Sequence, residues 1–132
     1  MSGYYMQDIL DVGEDFYCIG AKGGWFDPRL EPFRIRFYKE FRRKKLRAWH
    51  LFDWEMKRDR GGAVPEHLHE ARFLPPKCST NCAIDFFGDR IVTFTGLELY
   101  KLDDDMVQFV LISRKLCEGY KKWFWLMWDA CE

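Results

Sequence analysis

The unbroken apolar run Phe16-Tyr17-Cys18-Ile19 constrains the fold more than any other segment of this sequence. A strand with one wet face alternates apolar and polar side chains, whereas a run without alternation belongs to a strand covered on both faces. The run leads into Gly20-Ala21-Lys22-Gly23-Gly24, a glycine-rich turn. The rest of the chain must supply helices as cover, and 132 residues, 48% of them hydrophobic, suffice for the core of one domain.

The flanking segments read as that cover and as further strands. Tyr5 to Leu10 suits a short helix ending near Gly13. Pro28 and Pro32 fit only turns or a first helical turn, so a helix is expected from about Pro32, with Phe33, Phe37, Tyr38 and Phe41 as its core stripe. Leu46 to Asp53 reads as a second buried strand, packing through Trp49, Leu51 and Phe52. The polar, glycine-containing stretch through Val64 reads as irregular, and Glu70 to Leu74 as a short strand stopped by Pro75-Pro76. Ala83 to Phe87 and Arg90 to Thr95 flank Gly88-Asp89 as a hairpin. Asp103-Asp104-Asp105 is a solvated turn before a strand over Met106 to Ile112, and Ser113 caps a last helix reaching about Ala130. The fold class predicted is α/β, a mixed sheet flanked by helices, in a single domain over 1–132.

Composition removes several classes of function. The 21 basic and 21 acidic side chains cancel, so no whole-molecule attraction for nucleic acid or anionic membrane is expected, though a local patch stays open. No apolar run approaches the roughly 18 residues of a membrane span, and Met1-Ser2-Gly3-Tyr4-Tyr5 lacks a signal-peptide pattern. Five cysteines at irregular spacing fit reduced thiols in a cytoplasm better than a disulfide framework.

The sequence contains no Walker loop, no G-x-S-x-G, no H-E-x-x-H and no C-x-x-C. His50 lies within a predicted buried strand, where a core histidine is the simpler reading than a catalytic base. His67 and His69 with Cys78 and Cys82 carry the right elements for tetrahedral zinc but not the spacing of a finger, so no cofactor is expected. Arg34 to Arg47 holds eight cations against Glu40 alone. It reads either as a phosphate-binding surface or, more simply, as a solvated helix face whose last cations complement the helix dipole. Lys22-Gly23-Gly24 follows a strand and precedes a helix, where open α/β sheets bind ligands, although plain turn chemistry explains the same glycines. With Asp53, which ends the next strand, these residues are the candidate ligand-binding group.

Several pieces in order resemble a known family. They are Asp15-Phe16-Tyr17-Cys18-Ile19-Gly20-Ala21 with Gly23-Gly24-Trp25-Phe26, then Arg72-Phe73-Leu74-Pro75, the Phe87-Gly88-Asp89-Arg90 hairpin, and Tyr120-Lys121-Lys122-Trp123-Phe124 with Leu126 and Trp128. Together they span Met6 to Ala130 and resemble the phospholipase D-like domain behind the DNA-binding domain of TrmB-type transcription regulators, mostly archaeal. The resemblance implies a phospholipase D-like half-domain. Active phospholipase D enzymes carry a His-x-Lys pair and a following aspartate at this hairpin. In register, Asn81-Cys82-Ala83 stands at His-x-Lys and Gly88 at the aspartate. Asn81 cannot form a phosphohistidine-type intermediate and Ala83 cannot hold a phosphate oxygen, so the protein is expected not to be an enzyme. Asn81 joins the candidate ligand residues through this register. No winged-helix segment is present, so DNA is expected to be contacted only through a domain outside this chain.

On a helical wheel of the last helix, Leu116, Tyr120 and Met127 lie within about 60° of Trp123, followed by Cys117, Phe124 and Trp128. This arc is expected to face the core, with Trp123 near its middle. Trp125 falls among Glu118, Lys121, Lys122 and Asp129 and is expected to anchor an interface. The function expected is a cytoplasmic, non-catalytic effector and dimerisation domain, a homodimer with a possible small-molecule effector. A nucleic-acid-binding module using 34–47 and a degenerate phosphodiesterase are the alternatives.

Overall fold

The computed structural model describes residues 2–60, 70–102 and 105–131. Helix α1 (Ser2–Val12) leads into β1 (Phe16–Ala21), and α2 (Glu31–Arg43) crosses to β2 (Ala48–Phe52). A short helix α3 (Trp54–Arg60) follows, then β3 (Glu70–Phe73), the hairpin β4 (Ala83–Phe87) and β5 (Arg90–Thr95), β6 (Val107–Ile112), and α4 (Arg114–Asp129). The six strands form one mixed sheet in the order β3-β2-β1-β4-β5-β6. Strands β1, β2 and β3 are parallel, and β4, β5 and β6 extend the other side antiparallel. The expected α/β class is what the structure has.

Strand β1 sits at the centre because both its faces are apolar. Phe16 and Cys18 join a cluster with Ile9 and Leu10 of α1 and with Phe37 and Phe41 of α2. Tyr17 faces the other way, into a cluster with Trp49, Phe86 and Ile91 under Cys117, Phe124 and Trp128 of α4. Two helices on one face and one on the other make the layers that the unbroken run requires.

Chain chemistry places the turns. Gly13 takes φ 67° and its amide donates to the Ile9 carbonyl at 3.1 Å, which ends α1. Two short 3₁₀ turns, Gly24–Phe26 and Pro28–Leu30, precede α2, whose first turn holds Pro32. Ser113 caps α4, its hydroxyl accepting from the Leu116 amide at 3.2 Å.

Three expectations need correction. The stretch after Asp53 begins as a helix, because the Asp53 carboxylate accepts from the Glu55 amide at 3.0 Å and acts as its cap. Phe33 is exposed, with the Arg36 guanidinium over its ring at 5.4 Å, so the core stripe of α2 is Phe37 and Phe41 with Tyr38 half-buried beside them. On α4 the apolar arc is wider than the core beneath it. The sheet takes the side centred on Cys117, Phe124 and Trp128, leaving Trp123 63% exposed, while Trp125 packs edge-on against Tyr17 and Trp49.

Candidate functional site

The carboxyl ends of β1 and β2 and the entry to β4 converge on one corner of the sheet. There Lys22 is buried and its ammonium donates to Glu55 at 2.5 Å, with Asp53 at 3.9 Å. Asp53 is itself buried and also accepts from the Ser79 hydroxyl at 2.9 Å. The structure thus brings Lys22 and Asp53 together with Glu55 and Ser79. Two carboxylates around one ammonium leave the cluster net negative, a poor seat for an anion. The sequence signal for Glu55 was present: an aspartate followed two residues on by glutamate marks the start of a helix.

Asn81 is exposed two residues before β4, and Ala83 is buried at the strand's first position. The Asn81 carbonyl accepts from the Leu97 amide at 2.9 Å. Gly20 fits this crossing closely, since a Cβ there would lie 2.7 Å from the Cys82 carbonyl oxygen. Cys78 and Cys82 are exposed and all five cysteines are free. His67 and His69 lie outside the described residues, and among those described no group of three His, Cys, Asp or Glu could hold a metal ion.

Gly23 and Gly24 have a second role. Gly23 takes φ 75°, and a Cβ there would come within 2.9 Å of Met56 Sδ and the Tyr100 ring. Both glycines line a cavity of about 90 Å³ beneath α2, walled by Phe16, Trp25, Phe37, Tyr38, His50 and Phe52. Its polar groups come from one cross-strand row, in which His50 of β2 pairs with Cys18 of β1 and Cys18 with Asp85 of β4. Asp85 is buried; it accepts from the Tyr5 hydroxyl at 2.7 Å and is also hydrogen-bonded by the Cys18 thiol. Burial pushes its carboxyl up to about 6, against the pull of those two hydrogen bonds. Burial and the same carboxylate hold the Tyr5 phenol and the Cys18 thiol well above their usual ranges. A second cavity of about 60 Å³ shares Cys18, Gly24, Trp25 and Asp85 and adds Lys22 and Glu98. This centre was hidden in the sequence, because it depends on strand register.

The basic stretch lies on α2 and the turn after it. Lys39, Arg42, Arg43, Lys44, Lys45 and Arg47 are exposed, whereas Arg34 donates to the Trp25 carbonyl at 2.8 Å and covers Phe26.

One surface is conspicuously apolar. Strand β6 is an edge strand whose Val107, Phe109, Val110, Leu111 and Ile112 are all exposed, on both of its faces. Leu111 pairs with Ile91, and Ile91 lies under α4, so Val107, Phe109 and Leu111 share the α4 side of the sheet. Leu116, Trp123 and Leu126 of α4 are exposed as well. Val110 pairs with Val92, which packs with α1 and α2, so Val110 and Ile112 stand exposed on the opposite face of the rim.

No protein-family model matches the sequence, and no curated protein is similar to it. Among solved structures the fold is similar to TrmBL2, an archaeal chromatin protein whose structure shows a novel mode of DNA binding. The TM-score is 0.58 and the identity 13%, over 99% of this chain and 49% of that one. The chain spans about half the length of TrmBL2, and the likeness is one of fold. No described helix is long and apolar enough to cross a membrane.

Proposed function

We propose that this chain is the non-catalytic effector and dimerisation domain of a TrmB-type transcription regulator. The apolar surface of β6 and α4 carries the reading. An open, apolar strand edge is a template for pairing, and a protein that keeps one must cover it. A two-fold dimer uses one patch twice, so each exposed apolar side chain at this rim would be covered in both partners. The fold of a DNA-binding chromatin protein supports the regulatory context. In this reading DNA is contacted by a separate winged-helix domain and a small effector acts on the domain described here. Asn81 and Ala83, in the register of the phospholipase D resemblance, support the absence of phosphodiester chemistry.

Light scattering on the eluting protein at tens of micromolar tests the dimer. Twice the chain mass is expected, and a chain that stays monomeric overturns the reading. An aryl phosphodiester should show no turnover above buffer; turnover lost on Asn81→Ala would overturn the non-catalytic part. The exposed cations of α2 favour a second reading, direct binding to nucleic acid. A strongly salt-dependent affinity for DNA, lost on replacing Arg42 and Lys45, would support it over the first.

A further inference from the structure

We infer that the cavity under α2 is a binding site for a small organic cation, a protonated or methylated amine head seated among aromatic rings against the Asp85 carboxylate. The assignment deepens the regulatory reading by naming the chemistry of its effector, and rests on that reading only for the effector role.

Size comes first. The cavity of about 90 Å³ is several times the roughly 10–15 Å³ that one water needs on the same measure, so a compact head group fits. Its walls are largely aromatic, with Trp25 edge-on to Phe37 at 5.0 Å and the His50 ring stacked on Phe52 at 4.9 Å. Ring faces attract cations, and quaternary ammonium groups are recognised by such boxes. Charge decides between a cation and a neutral apolar guest. Asp85 is buried and lines this cavity, and its hydrogen-bond donors, the Tyr5 hydroxyl and the Cys18 thiol, are both neutral. Among the described residues no lysine or arginine forms an ion pair with it. A buried carboxylate without a counter-ion is costly, and a ligand cation supplies one. Lys22, which lines the adjoining cavity, is engaged by Glu55, and Arg34 of α2 by the Trp25 carbonyl. The rim residues Gly24, Trp25, Phe26, Tyr38 and His50 are half-buried, which puts the mouth between the glycine turn and α2.

The site is expected to fail in acid, because protonation removes the charge on Asp85. The titratable or charged groups around it are Tyr5 on α1, Cys18 and Lys22 on and after β1, Arg34 and Tyr38 on α2, His50 on β2, and Glu98. Comparison with Asp85→Asn separates the loss of this charge from any other effect of acid.

The test titrates the full chain, followed by NMR, with choline chloride and with its neutral isostere 3,3-dimethylbutan-1-ol. Saturable shifts are expected at the Trp25 indole, Gly23 and Gly24, with choline binding at least tenfold tighter than the alcohol. Asp85→Asn should lose that tenfold preference while still binding the alcohol, which shows the cavity is intact. Equal affinity for the two probes, shifts confined to other residues, or no saturation overturns the proposal. A dimeric chain that ignores choline overturns this inference alone, and a monomeric chain that binds it overturns only the dimer.

Discussion

Asp85 stores an electrostatic cost in the fold. Its carboxyl sits at about 6, above the ordinary aspartate value of an unfolded chain. A raised acid binds more protons folded than unfolded, so its contribution is fully present below about pH 4 and is lost as pH rises through about 6. Asp85→Asn keeps the acceptor for the Tyr5 hydroxyl and removes the charge. It should raise stability at neutral pH by roughly 1–3 kcal/mol and flatten the pH dependence between about 4 and 6, as read by urea denaturation across that range. An unchanged or steeper profile would count against the buried charge. At Gly23 the opposite is expected, since alanine would meet a left-handed backbone and the Met56 and Tyr100 side chains. Gly23→Ala should cost about 2 kcal/mol in the same experiment. Sequence exposed Lys22, the two glycines and Asp53, because turn chemistry and strand ends are local. Asp85 stayed hidden, since an aspartate in Ala83-Ile84-Asp85-Phe86-Phe87 gives no sign that Cys18 and Tyr5 will meet it.

At the scale of elements, α4 shows what patterning can and cannot decide. Its start was legible, because Ser113 precedes an amphipathic run, and Ser113→Ala should lower stability by about 1 kcal/mol through the lost cap. Its rotation was not. The apolar arc from Leu126 through Trp123 to Trp128 is wider than the groove over β1, β4 and β5, and the wheel alone does not say which end the sheet takes. Packing of Phe124 and Trp128 beside Trp49 and Phe86 settles it, turning Trp123 outward and laying Trp125 against Tyr17. The Glu14–Arg114 pair joins the α1–β1 turn to the start of α4 with contacts of 2.7 and 3.1 Å. Both groups are largely exposed, so Arg114→Ala should cost under about 1 kcal/mol in a thermal melt, and less as salt rises. Helix α3 was missed because only Trp54 and Met56 of its seven residues are apolar, too few to set a helical period, and its cap, Asp53, also reads as a strand-end ligand.

For the whole molecule, the unbroken β1 run predicted the layered α/β class, and the sheet with helices on both faces follows from it. The edge could not be read the same way. Val107 to Ile112 is almost as apolar as β1, yet β6 lies at the rim with neither face covered. Composition records that these side chains are apolar, not where the sheet places them. Trp123 and Trp125 of α4 lie two residues apart, one at the proposed interface and the other against the core, and their substitution is the most direct test. Sedimentation equilibrium and thermal melting of Trp123→Glu and Trp125→Glu, beside the wild type, make the comparison. Trp123→Glu is expected to be monomeric with a near wild-type melt, and Trp125→Glu to lose stability by desolvating a charge against Tyr17 and Trp49. A Trp123→Glu chain that still dimerises as the wild type does, or that unfolds while Trp125→Glu melts normally, would contradict this expectation.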